Sequence, residues 1–257
     1  MRYATLEERK IFYEREFDLA GVRKWLRRKN TVFAVIIGRH TGVYPEEYKD
    51  LKSNTIIIDS YKNLAEVGEY IVQYLPEGVY YDRNLYADLK KCHPCKKERK
   101  KCRWCNNLIG QELAFDIDPE NVSCPYHGDL ERKMKSGQGL GFCMYEFNVV
   151  RRQTLKLYEE LSERFTKMKV VYSGRGFHIH VFDEDATRMD FEERKKLAEG
   201  LDYAIDEWVT SGEMRLIRLP YSLHGMVSRI CSPLGIEKIK YFDPRNECIP
   251  AYLRKLR

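Results

Sequence analysis

The apolar residues of this 257-residue chain arrive in short bursts, and the length of those bursts limits what it can fold into. The longest uninterrupted run, Val32 to Ile37, has six residues, against the roughly 18 needed to cross a bilayer. Six apolar residues read as a buried strand, so no membrane span is expected. Further strand-length runs follow at 54–60 (NTIIIDS), 78–81 (GVYY), 112–118 (ELAFDID), 169–173 (KVVYS) and 176–182 (GFHIHVF), the last two joined at Gly174 to Gly176. MRLIRLP at 214–220 and KIKYFDP at 238–244 are expected to close the sheet. Between these runs the period lengthens to that of amphipathic helices. Residues 5–28 read as one or two helices broken near Ala20-Gly21, and helices are predicted over 63–75, 143–165 and 191–209. The pattern predicts an α/β (α+β mixed) fold. With no internal repeat and no Ser/Gly linker, residues 1–257 are expected to form one catalytic-sized domain.

At 43% hydrophobic and 33% charged, the chain is neither disordered nor collagen-like, and a packed core is within reach. The balance of 45 Lys+Arg against 39 Asp+Glu gives +6, and the excess is concentrated. Residues 90–103 read KKCHPCKKERKKCR, with eight Lys or Arg in fourteen positions. Such a run attracts phosphate backbones through counterion release. The opening MRYATLEERK lacks an apolar signal segment, so a cytoplasmic location is expected, with the eight cysteines reduced, metal-bound or buried rather than paired.

Four of those cysteines lie in the basic run. Cys92 and Cys95, then Cys102 and Cys105, form two CxxC hooks suited to a structural Zn²⁺ held by four thiolates. Residues 90–107 are therefore expected to be a zinc-binding basic insert, whose Lys and Arg side chains, with Trp104 and His93, would grip nucleic-acid phosphates and stack a base. Cys231 and Cys248 read as ordinary buried thiols.

Three segments bear residues suited to chemistry. On a strand through 112–118, Asp116 and Asp118 share one face while Phe115 and Ile117 point to the core, which converges two carboxylates on one spot. Such a pair either binds a hard divalent cation or caps the turn before Pro119. In Ser173-Gly174-Arg175-Gly176-Phe177-His178 two glycines allow close backbone approach, and the hydroxyl, guanidinium and exposed N–H groups suit phosphate oxygens. His178 and His180 would share the polar face of the following strand. Farther on, Arg218 and His224 are candidate phosphate ligands, and a third carboxylate is available at Asp202, Asp206, Glu207 or Glu213, among which the residues alone do not choose.

Taken in order, Phe115-Asp116-Ile117-Asp118, Ser173-Gly174-Arg175-Gly176-Phe177-His178, Asp206 ahead of Val209-Thr210, and Arg218-Leu219-Pro220 with Ser222-Leu223-His224 closely resemble the small catalytic subunit of archaeal and eukaryotic DNA primases. The tail KYFDPRNECIP is similar to that family's closing strand. The resemblance implies a primase-type fold, with an RRM-like mixed sheet flanked by helices and an N-terminal αβ unit. It implies that Asp116, Asp118 and Asp206 hold two Mg²⁺ or Mn²⁺ ions, and that Ser173, Arg175, His178, Arg218 and His224 bind the nucleotide triphosphate. Cys124, His127 and Cys143 fall where the family's zinc ligands would lie, a possible second Zn²⁺ site. The implied activity is DNA-directed primer synthesis from nucleoside triphosphates on a single-stranded DNA template, beside a large primase subunit. A primase-like polymerase for end-joining or gap filling shares the same residues, and a non-catalytic zinc-bearing nucleic-acid-binding subunit is the alternative outside catalysis. Two departures stand out: only 25 residues separate His180 from Asp206, and Met226 stands where family members often carry Lys.

Overall fold

The computed structural model describes residues 1–27, 31–51, 53–89, 107–135 and 143–254. The first elements are α1 (Leu6–Arg15), α2 (Leu19–Leu26), β1 (Phe33–Ile36), β2 (Thr55–Ile58), α3 (Leu64–Tyr74), β3 (Gly78–Asp82), β4 (Asn84–Tyr86) and β5 (Leu108–Gln111). Then come β6 (Leu113–Ile117), α4 (Leu130–Lys135), α5 (Met144–Ser162), β7 (Met168–Tyr172), β8 (Phe177–Val181), α6 (Glu184–Arg188), α7 (Phe191–Glu199) and α8 (Glu207–Ser211). The chain closes with β9 (Leu216–Arg218), β10 (Leu223–His224), β11 (Arg229–Ile230), β12 (Ser232–Leu234), α9 (Ile236–Ile239) and α10 (Ala251–Arg254). The architecture is mixed α/β, and every strand ladder among the described residues is antiparallel.

The described residues fall into two compact units interleaved along the chain. One is built from Glu112–Met214 and Ser232–Cys248, the other from Arg2–Gln111, Arg215–Cys231 and Ile249–Arg257. The first unit has a four-stranded sheet in the order β12-β7-β8-β6. One face buries Leu113, Phe115, Ile117, Phe177, Ile179 and Val181. Against them α5 lays Phe147, Val150, Leu157 and Leu161, whose three- and four-residue spacing makes one stripe of a helix. Because strand side chains alternate, the opposite face receives Asp116 and His178, which sit directly across from each other in the β6–β8 register.

The second unit has a sheet ordered β2-β1-β3-β9. Its α3 starts where Asn63 accepts hydrogen bonds from the N–H groups of Ala65 and Glu66, and it ends at Leu75 in the left-handed region.

Four sequence expectations change. The break between α1 and α2 falls at Glu16–Asp18, with Asp18 as the cap, while Gly21 sits inside α2. A Cβ at Gly21 would run into the Asp18 carboxylate and the Tyr221 ring, so that glycine serves packing rather than a break. The helix over 191–209 is two helices, α7 and α8, because Ile205 leaves helical geometry to bridge Ile117 beside β6 and Asp206 then caps α8. MRLIRLP forms β9, which joins β3 in the second unit rather than the sheet that holds Asp116. KIKYFDP is no strand: it lies partly in α9, and Ile239 and Phe242 enter the core three residues apart on successive turns. The edge beside β7 is taken by β12 instead.

Candidate active site

In the first unit, Asp116 is the last residue but one of β6, and Asp118 follows the strand as the cap of a short turn at Pro119–Asn121, its Oδ1 accepting from the Glu120 N–H at 3.0 Å. Asp118 is thus a half-buried carboxylate that caps the turn before Pro119, as one of its two sequence readings has it. Asp206 arrives from a segment 88 residues on in sequence yet donates its backbone N–H to the Asp116 carbonyl at 2.8 Å. Its Oδ1 caps α8 by accepting from Trp208 N–H at 2.9 Å and Val209 N–H at 3.3 Å. Asp116 and Asp206 are therefore brought together by a backbone hydrogen bond, against the mutual repulsion of their carboxylates. Among the described residues, the hydrogen bonds and ion pairs of the Asp118 and Asp206 carboxylates fall on Oδ1.

The loop between β7 and β8 closes on this strand end. Ser173 N–H donates to the Gly176 carbonyl at 3.0 Å, Gly176 N–H donates to Ser173 Oγ at 3.1 Å, and Gly174 takes a φ of +106°. A Cβ on Gly176 would drive into the Ile117 carbonyl and lie 3.0 Å from Asp118 Cα, so only glycine permits this approach. The loop presents Arg175, whose Nη2 lies 3.1 Å from Asp118 Oδ1 and 3.2 Å from Glu120 Oε2. Arg175 is 7% exposed, and its Nε is buried with no hydrogen-bond partner among the described residues. Burial alone lowers the guanidinium pKa, but the charges of Asp118 and Glu120 outweigh it and hold it above its ordinary value. Glu120 is pushed up, by burial first and by Asp118 second, with Arg175 pulling the other way. His178 Nε2 stands 3.4 Å from Asp116 Oδ1. His180, which the alternation places on the same face, is fully buried and has Nδ1 2.7 Å from Glu112 Oε1, a structural pairing braced by Arg194 on the Glu112 carbonyl.

Glu120 escaped the sequence reading. Its position two residues past Asp118 was the signal, hidden because the turn that folds it back onto Arg175 is not visible in a strand pattern.

Arg218 and His224 belong to the second unit. Arg218 lies over the Tyr80 ring at 4.8 Å, donates to the Tyr80 hydroxyl at 2.8 Å, and keeps Nη1 buried without a partner among the described residues. His224 and Met226 are both buried.

A second constellation forms in the first unit at Cys124, His127, Cys143 and Glu146, whose donor atoms all lie within 4.8 Å of one another. Cys124 and Gly128 exchange backbone hydrogen bonds of 2.9 and 2.7 Å around a tight turn, with Gly128 at φ +81°. Cys143 caps α5 from the other side, and Glu146 returns its carboxylate to the Cys143 N–H at 3.0 Å. Sulfur to sulfur is 3.8 Å, Cys124 Sγ to His127 Nδ1 3.4 Å, and His127 Nδ1 to Glu146 Oε1 3.4 Å. A tetrahedral zinc with thiolate, imidazole and carboxylate ligands puts neighbouring donors about 3.3–3.8 Å apart, so the four fit that ion. Buried Lys133 reaches Glu146 at 2.9 Å and holds Glu146 with the carbonyls of Pro119 and Val122. Burial raises the Cys143 thiol, whereas Glu146 is lowered: its burial works upward but is outweighed by Lys133 and the Cys143 N–H. Glu146 was missed in the sequence because three residues past Cys143 it reads simply as a helix-cap partner. The expected ligands Cys92, Cys95, Cys102 and Cys105 lie outside the described residues.

The mixed α/β fold has a counterpart among solved polymerase domains. It is similar to the polymerase domain of ligase D from Mycobacterium tuberculosis, solved with DNA, at a TM-score of 0.51 and 12% identity over 92% of this chain and 85% of that one. No family model matches the chain. A DNA primase small subunit-like protein of Archaeoglobus fulgidus is 62% identical, covering 98% of this chain and 92% of the relative. The chain belongs to the family of DNA primase small subunit-like proteins. The DNA primase small subunit PriS of Thermococcus onnurineus is 27% identical over 99% of this chain and 70% of its own length, and PriS of Pyrobaculum calidifontis is 26% identical over 70% and 67%. No helix among the described residues is long and apolar enough to cross a membrane.

Proposed function

We propose that the chain is a template-dependent nucleotidyltransferase that makes short RNA or DNA primers on single-stranded DNA. Family membership supports the primase-type class. The observation that carries the finer reading is the backbone bond from Asp206 to Asp116, which gathers a distant carboxylate onto the Asp116–Asp118 strand end. In this reading Asp116, Asp118 and Asp206 hold two divalent cations, Mg²⁺ or Mn²⁺, hard ions that take oxygen donors. When bound, the cations ease ionisation of a 3′-hydroxyl and neutralise charge on the α-phosphate and departing pyrophosphate. The chain's own part is positioning. Arg175, with a buried donor to spare, grips triphosphate oxygens beside the carboxylates, and Ser173 and His178 assist. For Arg218 and His224 the support for a triphosphate role is the motif resemblance alone.

The 3′-oxygen forms a bond to the α-phosphorus as the bond from that phosphorus to the β-phosphate's bridging oxygen breaks, pyrophosphate leaves and the hydroxyl proton passes to solvent. Zinc on Cys124, His127, Cys143 and Glu146, and a second zinc on Cys92, Cys95, Cys102 and Cys105, would be structural. A large subunit is the expected partner, as the name small subunit implies for the relatives.

The test is incorporation of labelled nucleotides by the purified chain on unprimed single-stranded DNA with Mn²⁺ or Mg²⁺, beside the double variant Asp116→Ala/Asp118→Ala. Product from the native chain, lost in the variant, is expected. If product forms only when a 3′ end is supplied, the chain is an end-joining or gap-filling polymerase; if none forms in either assay, with or without a large subunit, nucleotidyl transfer is the wrong activity.

A further inference from the structure

The metal-binding constellation has an outer surface that no role in zinc coordination explains. Its two halves follow one pattern, Cys124-Pro125-Tyr126-His127 and Cys143-Met144-Tyr145-Glu146, with a tyrosine immediately before the second donor of each. Bringing the four donors together brings those tyrosines together. Their ring centroids are 6.0 Å apart and the rings meet edge to face at 84°, with Tyr126 also 6.5 Å from the His127 ring. Tyr126 is 74% exposed and Tyr145 42%, so the pair stands in solvent while its base is fixed by the cluster. With Tyr126 on the turn and Tyr145 in the first turn of α5, the exposed aromatic pair is costly surface for a folded chain to keep, and it has little freedom left to lose on binding.

Exposed basic side chains lie on the two helices that flank the cluster. Arg132 lies across the knuckle, where a Cβ on Gly128 would sit 3.1 Å from its Cβ, and it is exposed. Lys135 is exposed one turn farther along α4, and Arg152 is exposed seven residues after Tyr145, on the same face of α5. Asp129 caps Arg132 N–H at 2.9 Å, and Glu131 pairs with Lys135 at 2.5 Å, so that pair's charges offset and Arg132 and Arg152 are the cations the platform would use. Flat rings flanked by cations suit a strand with exposed bases and a phosphate backbone better than an apolar peptide or a smooth duplex.

We infer that Tyr126 and Tyr145 form a stacking platform, set by the Cys124–His127–Cys143–Glu146 cluster, for an unpaired base of a single nucleic-acid strand. The ligand class follows from the function proposed above, but the platform is tested by binding and not by synthesis. Anisotropy of a labelled oligothymidylate of about 12 nucleotides, compared with an abasic oligomer of equal charge, separates stacking from charge attraction. Tyr126→Ala/Tyr145→Ala should weaken oligothymidylate binding about tenfold and leave abasic binding unchanged, while Tyr126→Phe/Tyr145→Phe keeps native affinity. Unchanged oligothymidylate binding in the Ala variant overturns the inference. So does equal loss on both oligomers, or a Phe variant as weak as the Ala one. If the native chain makes no primer yet the Ala variant shows this base-dependent loss, the platform stands and the catalytic reading fails; the reverse pattern separates them the other way.

Discussion

At the scale of single residues, the site depends on how closely two backbones approach. A Cβ on Gly176 would run into the Ile117 carbonyl and come within 3.0 Å of Asp118 Cα, so the glycine loop and the Asp116–Asp118 strand end are pressed together where any side chain would separate them. Gly176→Ala should destabilise the protein by about 1–3 kcal/mol through overpacking, measured by denaturant unfolding. It should also push Arg175 away from Asp118 and Glu120, so nucleotide KM should rise more than in a variant of equal stability loss placed in the α5 stripe, such as Val150→Ala. Equal KM in the two variants would mean that the loop's approach does not matter to nucleotide binding. The same residues show what a sequence can and cannot reveal about a site. Asp116 and Asp118 were legible because alternation along a strand is local. Asp206 could not be told from Asp202, Glu207 or Glu213, since its selection rests on a hydrogen bond to Asp116, 90 residues earlier in the chain.

Among the elements, those whose ends are set by local chemistry were readable in advance. Helix α3 begins at its Asn63 cap and β8 follows its alternating apolar face. The elements that differ owe their ends to contacts distant in sequence: Ile205 leaves the 191–209 helix to bridge Ile117, and Phe242 turns into the core instead of continuing a strand. The Cys124–His127–Cys143–Glu146 cluster is the extreme case, because the turn at Cys124–Gly128 and the start of α5, separate in sequence, meet at four side chains that could share one metal ion. If zinc is that ion, Cys124→Ser should cost the purified protein one equivalent of zinc in elemental analysis and lower its Tm, since coordination free energy is folding free energy. Serine keeps the size of the side chain but is a poor zinc ligand, so packing alone predicts little change. Undiminished zinc content would show that the ion, if present, is held elsewhere, at the CxxC hooks.

For the molecule as a whole, the controlling quantity is where its charge sits. The formal charge of +6 is too small to steer a polyanion if it is spread evenly over 257 residues. Eight Lys or Arg within residues 90–103 exceed that entire net excess, so the remainder of the chain is close to neutral or slightly acidic. Binding to a single strand should then draw most of its electrostatic part from this one segment, with the tyrosine platform adding a term insensitive to salt. Replacing Lys96, Lys97, Arg99, Lys100 and Lys101 by Ala takes the formal charge from +6 to 6 − 5 = +1. If all five contact phosphates, the slope of log K against log salt should flatten by up to about 3.5, at roughly 0.7 per phosphate on a single strand. The Tyr126→Ala/Tyr145→Ala variant should instead lower affinity at every salt concentration without changing the slope. A slope that survives removal of the five charges would place phosphate binding on other residues and leave the basic run as a solvated surface around its cysteines.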